Sequence, residues 1–146
     1  MDIPINYLAV IVAAFANMAL GMAWYGSLFG KAWMKATGRT EESMKQMNAG
    51  LKKRYLTMNR IYALQTVGAL LMAYVLAHVL VLANVYSGSG LEAGLKSGFG
   101  MWLGFVAPVS IGVVLWDGMP WKVWFIQGGY FLAALLMSGA ILGYWQ

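Results

Sequence analysis

Four long runs without a charged residue constrain the fold of this chain more than any other feature of its sequence. Each run is at least 20 residues long, and the four cover residues 3–30, 61–91, 97–116 and 123–146. A helix needs about 20 apolar residues to cross the hydrocarbon core of a bilayer. Because the runs are continuous and do not alternate between apolar and polar residues, they predict spanning helices rather than the strands of a closed barrel. They exclude a soluble globule, a DNA-binding domain and a disordered tail.

The predicted fold is all-α: an integral membrane four-helix transmembrane bundle with a basic, partly helical cytoplasmic loop. We expect a single transmembrane domain over residues 1–146, with the loop over 31–60. In the loop, Thr40 can cap a helix whose first turn carries Glu41 and Glu42. We expect Asn48-Ala49-Gly50 to end this helix and the following residues to form a stem that leads into the second span. The spanning helices are expected at about residues 6–27, 61–85, 97–116 and 123–145.

Positive charge is concentrated on one side of the predicted bundle. The chain carries 10 Lys and Arg against 5 Asp and Glu, and eight of the ten bases lie in residues 31–60. The loops after the first and third helices together carry nine bases, and the opposite side carries only Lys96. Since short cytoplasmic loops are enriched in Lys and Arg, residues 31–60 and 117–122 are predicted to be cytoplasmic and both termini external.

Pairs of glycines four residues apart recur in the third and fourth helices. Inside a membrane this spacing lets two helix backbones approach closely, either within one bundle or between two copies of a chain. Pro108 in the third helix removes a backbone donor and predicts a kink, where Ser110 could satisfy a freed carbonyl. The candidate helix-packing residues are Gly100, Gly104, Gly139 and Gly143.

Few polar side chains interrupt the apolar runs, and such residues are functional candidates by default. His78 is the only histidine, so we favour a hydrogen bond to Tyr74 or to another helix over a proton or ligand role. The amides are expected to join helices, and equal depth would allow Gln65 to meet Gln127. The candidate intramembrane polar residues are Asn17, Gln65, His78 and Gln127.

The sequence contains no recognisable catalytic motif. It has no cysteine, no Walker loop, no His-Glu-x-x-His and no paired carboxylates, so we expect a non-enzymatic protein with no cofactor and no metal site. Bases and indole rings instead gather at the predicted cytoplasmic end, where a lysine could hold an anionic head group while tryptophan fixes the depth. Alternatively these residues only set topology and form an aromatic belt with Trp24, Trp116, Trp121 and Trp124. The candidate ligand or partner site consists of Lys31, Trp33, Asp117 and Lys122.

Short motifs rich in glycine and aromatic residues occur in order along the apolar runs. They are Trp24-Tyr25 before Leu28-Phe29-Gly30-Lys31-Ala32-Trp33, then Ala73-Tyr74-Val75-Leu76-Ala77, Gly104-Phe105-Val106-Ala107-Pro108, Trp116-Asp117-Gly118-Met119-Pro120, Gly128-Gly129-Tyr130 and Gly139-Ala140-Ile141-Leu142-Gly143. Over about residues 5–145, their order and spacing resemble a bacterial family of small four-helix membrane proteins, domain-of-unknown-function family seventeen-sixty-one.

The resemblance implies a bacterial inner (cytoplasmic) membrane protein but no established activity. Members of the family often have Asp at the position of Gln127 and His at the position of Phe131. They also often have Glu in place of Asp117 and Arg in place of Met119. If an Asp–His pair in the fourth helix performs chemistry elsewhere in the family, this chain lacks it. A shared role would then depend on the cluster of Lys31, Trp33, Asp117 and Pro120.

Two kinds of function remain open from the sequence. The leading expectation is a small membrane protein that self-associates or serves as an accessory subunit of a membrane complex. The alternative is a homo-oligomeric small channel or transporter that could bind lipid or another apolar ligand. The expected partners are membrane lipids, through anionic head groups on the cytoplasmic side, and a second copy or a membrane complex. No nucleic acid is expected.

Overall fold

The computed structural model describes residues 5–53 and 58–145, and all regular structure within them is helical. Two five-residue π-helical turns, Trp24–Leu28 and Trp102–Val106, extend the first and fifth helices. The predicted all-α fold is confirmed. In chain order the helices are α1 (Tyr7–Ala23), α2 (Gly30–Ala36), α3 (Glu41–Lys53), α4 (Met58–Ser87), α5 (Leu91–Met101), α6 (Ala107–Ser110), α7 (Gly112–Leu115) and α8 (Trp121–Tyr144).

Four helical segments are long and apolar enough to cross a membrane, as the charge-free runs predicted. Three of them begin and end within two residues of the expected positions, but the third begins at Leu91 and not near residue 97. Lys96 pairs with Glu92 one turn earlier at 2.7 Å, and an acid in the first turn favours a helix start. The charges therefore lie within the helix and do not delimit it. The segments are Tyr7–Leu28, Asn59–Val85, Leu91–Leu115 and Trp121–Tyr144.

Helix α8 lies at the centre of the bundle. Its span is buried over 39% of its most apolar stretch, against 6% for the third span. It runs antiparallel to α1. At one end of the pair, the side chain of Asn6 at the start of α1 donates to the carbonyl of Trp145 just after α8, at 3.1 Å. At the other end, the indole N–H of Trp24 donates to the carbonyl of Ile126 at 3.0 Å.

Small residues allow the helices to approach one another closely around α8. A Cβ at Gly139 would strike the backbone carbonyl of Gly94, and a Cβ at Gly143 would lie 2.5 Å from that of Gly90. Alanines allow a similar close approach between α1 and α4, where Ala13 and Ala73 are both fully buried. The apolar core consists of Ala9, Val10, Ala13, Ala73, Leu76, Ala77, Leu80, Ala93, Leu135 and Leu142.

The connection between the first two spans contains the predicted capped helix, which is longer than expected. The backbone N–H of Ser43 donates to the Thr40 hydroxyl at 3.1 Å, and the Thr40 N–H donates to the Ser43 hydroxyl at 2.9 Å. The predicted end at Asn48-Ala49-Gly50 is wrong, because Gly50 remains helical and α3 continues to Lys53. A glycine ends a helix when it adopts positive φ, which Gly50 does not. The predicted stem includes residues 54–57, which lie outside the described residues.

Pro108 interrupts the third span through a widened turn. The N–H of Ala107 donates to the carbonyl of Trp102, five residues back, and short helices continue the span to Leu115. A π-turn inserts one extra residue where a proline would otherwise crowd the preceding turn. The Ser110 hydroxyl donates to the carbonyl of Ala107 at 3.2 Å, within the same short helix, and not to a carbonyl of the widened turn.

Candidate functional site

A groove lies between α1, α4 and α8 at the end of the bundle from which α2 and α3 emerge, which we call the basic end. Its volume is about 550 Å³, within the range of about 300–1,000 Å³ that is usual for ligand pockets. We call it the tyrosine groove. It is lined by Met18, Gly21, Met22, Tyr25, Gly26, Tyr62, Gln65, Tyr130 and Phe131.

The buried wall of the groove is built on Tyr130. This residue follows the start of α8 by nine positions, which is about 13 Å along a helix. Its ring centroid lies 5.4 Å from that of Tyr25 and 5.3 Å from that of Phe131. A Cβ at position 21 would lie 3.1 Å from the Tyr130 hydroxyl, so Gly21 leaves the space that this side chain occupies.

A π-helical turn positions the outer wall. The N–H of Phe29 donates to the carbonyl of Trp24 at 2.7 Å, so Tyr25 lies in a turn that contains one extra residue. The Trp24 indole fixes this turn on α8 through its hydrogen bond to Ile126. Insertions of this kind occur often at functional sites because they redirect the side chains that follow.

The second π-helical turn, on the third span, is attached to α8 in the same way. Trp102 begins it, and its indole N–H donates to the carbonyl of Gly128 on α8 at 2.8 Å. Both turns have the local sequence Trp-x-Gly, with Gly26 in the first and Gly104 in the second. Two tryptophans thus attach two widened turns to carbonyls two residues apart on the central helix. The indole N–H of Trp24 thus points into the protein, and the interface belt stays a prediction.

Three polar groups of the tyrosine groove have no hydrogen-bond partner among the residues that the structure describes. The hydroxyls of Tyr25 and Tyr62 and the side-chain amide of Gln65 make no hydrogen bond with any described residue. The Tyr130 hydroxyl lies 3.5 Å from the carbonyl of Asn17, at the limit of a hydrogen bond. All lining residues are uncharged. The groove therefore combines apolar walls with unused hydrogen-bonding groups and no ionic group.

A second, almost entirely apolar crevice lies further along α1 and α4, away from the basic end. Its volume is about 300 Å³, and it lies between the N-terminal half of α1 and the middle of α4. Ile11 and Met18, on the α1 sides of the crevice and the groove, are seven residues or about 10 Å apart on one helix face. The crevice is lined by Tyr7, Val10, Ile11, Val67, Leu70, Leu71 and Tyr74.

The candidate site of bases and acid is not joined by ion pairs. Asp117, Lys31 and Lys122 are all exposed, and within the described residues no ion pair connects them. Trp33 instead packs edge-on against Tyr25 at 6.1 Å between centroids, with the Arg39 guanidinium 5.0 Å from its ring. Trp33 therefore belongs to the surroundings of the groove, and convergence of the three charges remains a prediction.

The four intramembrane polar residues have different surroundings. Asn17 is 1% exposed, and its amide donates at 2.9 Å to the hydroxyl of Ser138. Ser138 was not among the residues predicted from the sequence. No hydrogen bond joins Gln65 to Gln127, and Gln65 lines the groove instead. The Nδ1 of His78 lies 2.9 Å from the Tyr74 carbonyl, one turn back on its own helix. Within the described residues, no three His, Asp or Glu side chains group to hold a metal.

The four candidate glycines divide into two pairs. Gly139 and Gly143 are buried against α5, where their partners are Gly94 and Gly90. A Cβ at Gly100 or Gly104 would meet no atom within 4 Å, so these two do not pack inside the bundle. Sequence spacing identified both pairs, but the assumed start of the third helix left Gly94 outside the predicted spans.

Sequence reasoning also missed the tyrosines that form the groove. Tyr130 carries a usable signal, since it lies deeper in an apolar run than an interface belt would place it. Tyr62 carries none, because a tyrosine near the start of a span is typical of a belt. Only its position opposite Tyr25 assigns it to the groove.

Fold and groove together define a multi-pass helical membrane protein with a pocket that opens from its spanning region. The family model described as "Protein of unknown function (DUF1761)" matches residues 8–143, and the chain belongs to this family. The resemblance inferred from the ordered motifs is thereby confirmed. No curated protein and no solved structure matches the chain.

Proposed function

We propose that this membrane protein binds an amphipathic molecule of the bilayer in the tyrosine groove and performs no chemistry on it. The observation that carries the proposal is a set of polar groups in an apolar-walled groove, on half-buried Tyr25 and exposed Tyr62 and Gln65, that make no hydrogen bond with any described residue. A polar group without a partner in hydrocarbon costs several kcal/mol. A ligand with a polar head and an apolar body would satisfy these groups and cover the walls together.

The proposed orientation places the basic end in the cytoplasm and both termini outside. Helix α2 follows directly after the first span, and its exposed Lys31 and Lys35 would lie at the level of the lipid head groups. Each base near an anionic membrane surface contributes about 1 kcal/mol of attraction. These side chains would hold the basic end against anionic head groups, and the groove would open into the cytoplasmic leaflet of a bacterial inner membrane.

Filling the groove tests the proposal. Gly26 lines the groove, and a Cβ there would meet no atom within 4 Å, so Gly26→Leu should place a side chain in the groove without disturbing the fold. Native mass spectrometry of protein released from nanodiscs should find a retained lipid-sized molecule in the wild type and lose it in Gly26→Leu. Gly68→Leu is the matched control, since Gly68 also faces open space but lines neither cavity. Equal retention by both variants would contradict the proposal.

Self-association is a second candidate function, and the third span favours it. This span is the least buried of the four, and Gly100 and Gly104 face open space on its surface. Small residues on an exposed membrane helix allow a second copy to pack closely. The variant with both Gly100→Leu and Gly104→Leu should lower the copy number measured by native mass spectrometry, and Gly68→Leu should not. A monomeric wild type in both nanodiscs and mild detergent would refute it.

A further inference from the structure

We infer that the ligand of the tyrosine groove is a quinone: a neutral, planar ring with carbonyl oxygens and a long isoprenoid chain. This inference rests on the proposed lipid-binding function and names the chemical class of its ligand. Three features of the groove lead to it: the absence of charge, the available hydrogen-bond donors and the aromatic walls.

The lack of charge in the lining favours a neutral head. None of the nine lining residues is acidic or basic, although exposed Lys31 and Lys35 lie just beyond the end of the first span. A charged head buried in the groove would lose its hydration and find no opposite charge, which costs more than a neutral head would lose. An anionic phospholipid is better served at the basic surface than inside the groove.

The polar groups of the groove that make no hydrogen bond with a described residue all include hydrogen-bond donors, although each can also accept. Tyr25 and Tyr62 each have a hydroxyl to donate, and the Gln65 amide has two N–H groups. Ring carbonyls accept hydrogen bonds, so a quinone can bind through these donors. One oxygen can accept from the tyrosines at the mouth of the groove while the other accepts from the amide.

The walls of the groove offer aromatic rings for a planar partner to pack against. The rings of Tyr25 and Tyr130 lie 5.4 Å apart and are inclined by 58°, and Phe131 continues the aromatic wall behind them. Aromatic rings pack against a planar partner in offset or edge-on arrangements and gain more than their buried area alone provides. Met18 and Met22 complete the walls with flexible thioethers that can adapt to ring substituents.

The apolar crevice gives the chain a path. The face of α1 that lines the groove also lines the crevice, about 10 Å further from the basic end. A ring held near Tyr25 would therefore direct its chain along α1 past Met18 towards Ile11. In this arrangement the ring lies near the head-group level of the basic end, and the chain remains within the bilayer core.

Binding is measured with a benzoquinone that carries an alkyl chain, added to the full chain in nanodiscs of zwitterionic phospholipid. Quenching of tryptophan fluorescence reports occupancy, because the Trp24 ring lies 6.3 Å from that of Tyr130. Tyr25→Phe and Gln65→Leu should each raise the Kd about two- to tenfold, the effect of one hydrogen bond. The matched controls Tyr144→Phe and Gln127→Leu lie outside the groove and should leave the Kd unchanged. Far-ultraviolet circular dichroism verifies that all four variants are folded.

A photoreactive group at the end of the alkyl chain tests the path of the chain. Cross-links should fall in residues 7–11 or 67–74, which form the crevice. Cross-links confined to the third span would overturn this arrangement, and quinone binding that ignores Tyr25→Phe and Gln65→Leu would overturn the assignment to the groove.

Competition separates failure of the inference from failure of the proposed function. If native mass spectrometry finds a phospholipid whose retention depends on Gly26 and which the quinone does not displace, the quinone inference is wrong and lipid binding in the groove stands. If neither quinone nor lipid is retained by the wild type, both are wrong.

Discussion

Replacing Gly98 with alanine tests the contact between the third and fourth spans, on which the core of the fold depends. A Cβ at this position would lie 2.9 Å from the carbonyl carbon of Leu135 and nearer still to its oxygen. Ordinary contact begins at 3.4 Å, so α5 and α8 would have to separate by at least about 0.5 Å. Gly100, two residues along the same helix, has no atom within 4 Å of its Cβ position and is the matched control.

The expected effects of the two substitutions have opposite signs. Overpacking a buried contact costs about 1–3 kcal/mol, and alanine returns about 1 kcal/mol through its better helix propensity. Gly98→Ala should therefore lower the free energy of unfolding by up to about 2 kcal/mol. Gly100→Ala gains the propensity without the collision and should raise the free energy of unfolding by up to about 1 kcal/mol.

The difference in the free energy of unfolding is measured by titrating the protein with sodium dodecyl sulfate in mixed micelles. Circular dichroism and tryptophan fluorescence follow the unfolding. The midpoint of Gly98→Ala should fall below that of the wild type, and the midpoint of Gly100→Ala should not. If the two variants unfold together, or if Gly98→Ala is the more stable, the close approach of α5 to α8 is not what stabilises the bundle.

Three further predictions concern topology and hydrogen bonds. Cysteines introduced at Ser43 and Ser89 should label from opposite sides of the membrane, since an odd number of spans separates them; labelling from one side would exclude this topology. Ser138→Ala should lower the free energy of unfolding by about 1–3 kcal/mol because it leaves a buried amide unpaired, whereas the control Ser97→Ala should change it by less than about 0.5 kcal/mol. Trp102→Phe should cost about 0.5–1.5 kcal/mol through loss of its bond to the α8 backbone, and an unchanged midpoint would refute that role.

The sequence predicted most of the fold because hydrocarbon accepts few kinds of structure. Charge-free runs of spanning length can satisfy their backbone only as helices, so the number of helices and most of their ends followed directly. The start of the third helix did not follow, because Glu92 and Lys96 pair one turn apart and remain within it. A rule based on charge-free runs cannot distinguish charges that end a helix from charges that pair along its surface.

The candidate site was predictable only in part. Gln65 was identified as a polar residue in a span, but no hydrogen bond joins it to the expected partner Gln127, and it lines the groove instead. Matching depth does not ensure that two side chains face each other, since helix rotation decides which residues meet. The same rotation brings Asn17 to Ser138 across the α1–α8 contact. The one-dimensional pattern contains depth but not rotation.

The sequence by itself determined that this chain forms four spanning helices, that its bases lie at one end, and which family it belongs to. These properties depend on composition and order along the chain. Tertiary structure alone decided that Gly94 and Gly139 bring two backbones together while Gly100 faces outward. It also decided that three tyrosines enclose a groove. The physical reason is that successive residues of a helix point in different directions, and only the packing of the other three spans around α8 selects which faces are buried.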